Sequence, residues 1–218
     1  LGQVAISGEE KAIKEAEDNQ IHVLVYGSQK EVVESKIENQ TLTIAKKGNY
    51  FCFGFCIYKG KIIVHVPKEM KADLDIKTVS GDIEIISNIV GNVDLKTTSG
   101  DIKAREVMDA KIKSTSGEII LEQMNKGEII TTSGDIKINA IEHSINAESI
   151  SGDIILSSLK VEEDANLKTT SGDVRINEIT EAYIEASTLS GDIHIRDNNR
   201  YANHTVTIKT TSGDIKVN

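Results

Sequence analysis

From residue 74 onward, apolar and polar positions alternate in short bursts that return at nearly constant intervals. Each burst ends on the same three residues: Ser80-Gly81-Asp82, Ser99-Gly100-Asp101, Ser133-Gly134-Asp135, Ser151-Gly152-Asp153, Ser171-Gly172-Asp173, Ser190-Gly191-Asp192 and Ser212-Gly213-Asp214. An eighth copy, Ser116-Gly117-Glu118, keeps the acidic group, and the glycine-to-glycine steps are 19, 17, 17, 18, 20, 19 and 22 residues. A period of this size marks stacked repeats that share one continuous core.

Aligning the copies on the serine turns the bursts into columns. Six residues before it stand Leu74, Val93, Ala110, Gly127, Ile145, Ala165, Ile184 and Val206, and four before it Ile76, Leu95, Ile112, Ile129, Ala147, Leu167, Ala186 and Ile208. Two before it stand only hydroxyls, Thr78, Thr97, Ser114, Thr131, Ser149, Thr169, Thr188 and Thr210, so the period of two reads through to an inward-facing serine. After the glycine the phase changes. Ile83, Ile102, Ile119, Ile136, Ile154, Val174, Ile193 and Ile215 form the next inward column, followed two residues on by Ile85, Ala104, Leu121, Ile138, Leu156, Ile176, Ile195 and Val217. Three or four residues later a third apolar position is read as Ile89, Met108, Met124, Ile141, Leu159 and Ile179.

These columns predict an all-β protein, a parallel β-solenoid of about eight rungs of 17–22 residues in which Ser-Gly-Asp turns the corner between two strands. A right-handed coil is expected. Rungs paired at about 4.8 Å would span roughly 35 to 40 Å. Each buried Ile or Val contributes about 1.5–3 kcal/mol, and a stack shares faces that a single rung could not bury alone. The glycine is expected either for a positive φ or for a backbone approach that leaves no room for Cβ. The Ser and Thr columns can satisfy corner N–H groups, and the acid can cap a turn donor.

Residues 1–72 lack the repeat and predict an N-terminal strand-rich cap or initial rungs, with the solenoid over 73–218, the two read alternatively as one continuous domain. Strands are predicted over 20–26, 40–45 and 61–66, the last stopped by Pro67, whereas Glu31 to Ile37 is charged and ambiguous. Tyr50-Phe51-Cys52-Phe53-Gly54-Phe55-Cys56-Ile57-Tyr58 reads either as an exposed aromatic patch or as a hairpin over the open end of the stack. Cys52 and Cys56 lie about 13 Å apart on a straight strand, too far for a disulfide, but a turn at Gly54 would permit one. Buried thiols or one disulfide both fit, and no Cys or His pair at zinc spacing accompanies them.

Composition sharpens this picture. The 218 residues contain no Trp and one Pro, and the formal charge of −9 argues against a nucleic-acid surface, which needs a basic stripe. No apolar run is long enough to span a bilayer. The chain begins at Leu1 rather than Met, as expected of a processed or trimmed product, which leaves room for a signal or membrane anchor outside these residues.

Candidate chemistry is sparse. The acidic column Asp82, Asp101, Glu118, Asp135, Asp153, Asp173, Asp192 and Asp214 reads as a cation stripe or as turn caps. Two basic columns, Lys103, Lys137, Arg175, His194 and Lys216, and Lys77, Lys96, Lys113, Lys168 and Lys209, favour a solvated face whose charges neutralise one another. Of the five histidines, only His194 and His204 are expected to meet, on adjacent rungs. No nucleophile elbow, phosphate loop or His-Glu-x-x-His occurs. The Ser-Gly-Asp residues are therefore read as structural corners, with no catalytic, cofactor or metal role assigned, and the long step from Arg196 to His204 as a loop insertion.

The string Val93-Asp94-Leu95-Lys96-Thr97-Thr98-Ser99-Gly100-Asp101-Ile102, repeated with little change, resembles the bacterial DUF4097 family, built from Thr-Thr-Ser-Gly-Asp-Ile repeats. The resemblance covers about residues 20–218 and includes Phe53-Gly54-Phe55 and the strand ending at Pro67. The family carries an adhesin label, some relatives are linked to envelope stress in Gram-positive bacteria, and no catalytic residues come with it. It implies a non-enzymatic, bacterial cell-envelope or extracellular protein whose partner is an envelope protein or glycan. A polysaccharide-active β-helix enzyme is the alternative, and it requires acids and bases clustered in one cleft. An ice-binding solenoid would need a flat outward Thr array, whereas the residues before the serines include Val79, Ile150 and Leu189.

Overall fold

A computed structural model describes residues 5–7, 22–26, 33–38, 41–46, 61–65, 73–77, 82–86, 89–196 and 205–218. The aromatic segment with Cys52 and Cys56, Pro67, Ser80, Gly81, the insertion 197–203 and His204 lie outside them. The chain divides into two compact units, Leu1–Lys68 and Glu69–Asn218.

In the first unit, β1 (Ala5–Ser7) runs parallel to β2 (His22–Tyr26), which pairs antiparallel with β5 (Lys61–His65). The ambiguous charged stretch is a strand after all: β3 (Val33–Glu38) forms an antiparallel hairpin with β4 (Thr41–Lys46). The β2–β5 register sets His22 directly opposite His65, a histidine pairing the sequence reading did not anticipate. Proximity along the chain had suggested only His194 and His204, because the order in which non-repeating strands pair is not encoded in spacing.

The second unit is a parallel β-solenoid. Its twelve strands are β6 (Leu74–Lys77), β7 (Ile83–Ile85), β8 (Ile89–Lys96), β9 (Ile102–Ser114), β10 (Ile119–Thr131), β11 (Ile136–Ser149), β12 (Ile154–Lys168), β13 (Val174–Ile176), β14 (Ile179–Ser190), β15 (Ile193–Ile195), β16 (Thr205–Ser212) and β17 (Ile215–Val217). Eight rungs stack, which makes about seven turns, and no helix occurs among the described residues.

Register confirms the columns. Leu74 pairs with Val93, then Ala110, Gly127, Ile145, Ala165, Ile184 and Val206 follow in order, and beyond the corner Ile83 leads through Ile102, Ile119, Ile136, Ile154, Val174 and Ile193 to Ile215. The third apolar column differs at one place. Val107, 1% exposed, stands between Ile89 and Met124, while Met108 is 38% exposed. From Gly100 onward the third inward residue lies seven after the corner glycine (Val107, Met124, Ile141, Leu159, Ile179), an interval that selects Val107 over its apolar neighbour. At Gly127 the inward column narrows, and Met124 Sδ would lie 2.5 Å from a Cβ there, so the missing side chain makes room for the thioether.

Both arms flanking the corner keep a constant length, and rung length varies only on the return side. There, Ala110 comes three positions after Val107, but Ala165 comes six after Leu159. In the middle rungs this return is a register irregularity inside one long strand, as between Ile141 and Ile145, and not a separate turn. Stacking on both sides buries the core. Ile119, Ile136 and Ile154 are 0% exposed, whereas Ile215 in the last rung, with a rung on one side only, is 48% exposed.

The corner glycine is explained by close approach. A Cβ on Gly134 would lie 1.8 Å from the carbonyl oxygen of Gly117 one rung below, a distance no side chain tolerates. Most of these glycines do not have positive φ, so space and not backbone conformation imposes the residue in the stack interior. Gly134→Val is therefore expected to lower stability by about 1–3 kcal/mol or more through forced separation of two rungs, read as a drop in thermal or denaturant midpoint. An unchanged midpoint would overturn the close-approach explanation.

Candidate functional site

The repeated corner is the most concentrated polar feature of the second unit. Its inward hydroxyl is the residue three before the glycine: Thr97, Thr131, Ser149, Thr169 and Thr188 are all buried. The glycine N–H donates back to it, at 3.0 Å from Gly100 to Thr97, 3.1 Å from Gly134 to Thr131 and 2.8 Å from Gly152 to Ser149. The hydroxyl in turn donates to the glycine carbonyl of the rung below, Thr169 to Gly152 at 3.1 Å and Thr188 to Gly172 at 3.0 Å. One side chain thus satisfies two backbone groups that the bend takes out of the strand ladder.

The serine does not face inward as its spacing suggested. Ser99, Ser133, Ser151, Ser171, Ser190 and Ser212 are all exposed, as is Ser116. Alternation stops at the bend, where two successive residues such as Thr132 and Ser133 both point out before Gly134 returns to the interior. The serine backbone still continues the ladder, with Ser133 N donating to Thr115 O at 2.9 Å.

The acidic column is a second ladder. Asp82 Oδ1 accepts from Asp101 N at 3.0 Å, and the same contact links Asp101 to Glu118 at 2.9 Å, Asp135 to Asp153 at 3.0 Å, Asp153 to Asp173 at 2.9 Å, Asp173 to Asp192 and Asp192 to Asp214 at 2.8 Å. These six aspartates are aimed along the stack at a backbone N–H, whereas Glu118 meets Lys137, and among the described residues no three His, Cys, Asp or Glu side chains converge as a metal-binding group. At the corner with Glu118 the buried Ser114 Oγ finds no partner, and Gly117 (φ +151°), like Gly213 in the last corner (φ +155°), has a positive φ.

Outward bases meet these acids. Arg175 reaches Asp153 at 3.1 Å and Asp173 at 2.5 Å, and Lys137 bridges to Glu118 of the rung below. The hydrogen bond to Glu118 raises the Lys137 pKa above the ordinary lysine value, so this bridge persists throughout the neutral range and is lost only as pH climbs through that raised value. Lys77–Asp75 at 2.7 Å, Lys96–Asp94 at 3.2 Å and Lys209–Glu185 at 2.9 Å pair the other basic column. Exposed pairs of this kind contribute little to stability, because solvent screens them.

Two open clefts break the otherwise regular surface. One, of about 290 Å³, lies on the return side among Asn125, Glu142, His143 and Lys160, with Gln123 donating to Glu142 at 2.7 Å. The other, of about 230 Å³, lies among Arg175, Asn177, His194, Arg196, Lys216 and Asn218. Neither brings together the two carboxylates that glycoside hydrolysis uses, among the described residues.

The sequence profile described as Toastrack DUF4097 matches residues 3–218. The chain belongs to the Toastrack DUF4097 family. No curated protein and no solved structure gives a significant match. The Toastrack solenoid is consistent with a surface or scaffold protein.

Three substitutions separate the roles within a Toastrack corner. Asp135→Asn keeps an acceptor for Asp153 N and is expected to leave the melting midpoint nearly unchanged, while Asp135→Ala should cost about 0.5–1.5 kcal/mol. Thr169→Val preserves shape but leaves the Gly152 carbonyl without its hydroxyl donor, and a loss of about 1–3 kcal/mol is expected in denaturant titration. If Asp135→Asn proves as costly as Asp135→Ala, the carboxylate charge and not its acceptor geometry holds the corner.

Proposed function

We propose that this protein is a non-enzymatic scaffold of the bacterial cell envelope or cell surface that binds an envelope protein or glycan through its outward columns. One observation carries the reading: the repeated hydroxyl, glycine and carboxylate groups are consumed in joining rung to rung. Thr169 spends its hydroxyl on Gly152, and Asp153 spends an oxygen on Asp173 N. What remains for recognition is the periodic exterior of exposed serines, threonines and charge columns, a surface suited to adhesion or spacing. The negative formal charge of −9 supports a partner other than nucleic acid.

Subcellular fractionation of the natural gene product is expected to place it in envelope or secreted fractions, with surface protease able to reach it. Recovery wholly in the cytosol would overturn the localisation. Robust hydrolase or lyase activity of the purified protein on cell-wall or plant glycans would overturn the non-enzymatic reading in favour of a polysaccharide-active β-helix.

A further inference from the structure

The outward column that follows the corner is uneven along the stack. Glu84, Lys103, Ile120, Lys137 and Ile155 are successive register partners, and the two isoleucines keep bases from adjoining. Only the last three rungs place nitrogen bases in unbroken succession, Arg175 beside His194 beside Lys216. Two residues further along the same rungs stand Asn177, Arg196 and Asn218, and these six groups, with Ile176 and Ile195, line a cleft of about 230 Å³ that has no Asp or Glu side chain among its described walls. Arg175 is held in place by Asp153 and Asp173, whereas His194 and Lys216 form no ion pair with a described residue. The acids two residues before these bases, Asp173, Asp192 and Asp214, lie on the far side of the basic column, and the Oδ1 atoms of Asp173 and Asp192 are turned to backbone N–H groups of the next rung at 2.8 Å.

In a chain of net charge −9, a concave patch whose polar side chains are bases and amides draws an anion. Rungs about 4.8 Å apart let cations on neighbouring rungs reach separate oxygens of one small oxyanion. Arg presents a fork of donors and Lys a point charge, and the asparagine amides can donate to remaining oxygens. Donors arriving from three rungs and two columns suit a tetrahedral group better than a planar carboxylate, which offers only two oxygens.

We propose that this cleft is an oxyanion site for a phosphate group, with Arg196 and Lys216 supplying charge and His194, Asn177 and Asn218 supplying hydrogen bonds. The site rests on the scaffold reading only for the source of the ligand, a phosphate-bearing polymer of the envelope. Titration of the full chain with inorganic phosphate and with soluble polyphosphate, followed by calorimetry or amide chemical shifts, tests it directly. Both probes should bind, polyphosphate the more tightly, and binding should weaken as salt is raised. Combined Arg196→Gln and Lys216→Gln should weaken binding at least about ten-fold. Lys103→Gln, on the same column but outside the cleft, should leave it unchanged, and equal melting midpoints would show that each variant is folded.

Acetate and polyglutamate serve as carboxylate arms. Their binding as tightly as the phosphate probes would overturn the phosphate assignment, as would absence of phosphate binding or an undiminished affinity in the double variant. A protein that binds phosphate here but fractionates with the cytosol would retain the site and lose the envelope reading. An envelope protein that binds no phosphate would lose only the site.

Discussion

The solenoid depends on the distance at which one corner backbone sits on the next. Gly134 lies so close to the Gly117 carbonyl that a methyl group would be 1.8 Å from its oxygen, and Gly152, Gly172, Gly191 and Gly213 repeat the contact with clearances of 2.0–2.2 Å. Hydrogen bonding between rungs sets this spacing: Ser133 N donates to Thr115 O at 2.9 Å on one side of Gly134, and Ile119 N to Asp135 O at 2.9 Å on the other. A larger residue would open both bonds. The buried hydroxyl and the acid are consequences of the same constraint, because a bend this tight removes backbone groups from the strand ladder and each needs a substitute partner.

That division of labour explains where the repeat tolerates change. The arms around the glycine cannot lengthen without displacing the hydroxyl, the carboxylate and the inward columns together. The return side carries no such ladder, so Lys160 and Asp164 of β12 can flank extra residues while Leu159 and Ala165 remain in register with Ile179 and Ile184. Irregular rungs therefore generate surface variety, and the cleft around Glu142 and His143 lies on this side.

Polar groups divide into two populations. Those near the glycine are buried or bonded to the next rung and build the stack. Those on outward columns stand beside columns of opposite sign, and where a base meets an acid, as Arg175 meets Asp153 and Asp173, the pair adds little beyond solubility. The proposed phosphate site lies where this pairing fails, at His194 and Lys216 beside Arg175. A repeat protein can acquire a ligand in this way without altering any residue on which its fold relies.

The inward columns were readable from the sequence because period-two alternation at a fixed interval from a glycine leaves few registers in which Ile102, Ile119, Ile136 and Ile154 can all be buried. The parallel stacking followed from the repeat, and so did the need for glycine at the corner. Direction within the corner was not readable. Extending the alternation from Thr131 to Ser133 assumes a straight strand, and the bend turns Thr132 and Ser133 outward together. The choice between Val107 and Met108 likewise waited on stacking, since both are apolar and only the rungs above and below decide which points inward. Asp153 was readable as a cap for a turn donor, but only the stacking showed that the donor is the backbone N–H of Asp173 on the next rung, 2.9 Å away. Sequence thus determined which residues share a face, a local property of backbone period. Tertiary structure decided what each polar group meets, because its partner lies some 17–22 residues away in the chain and one rung away in space.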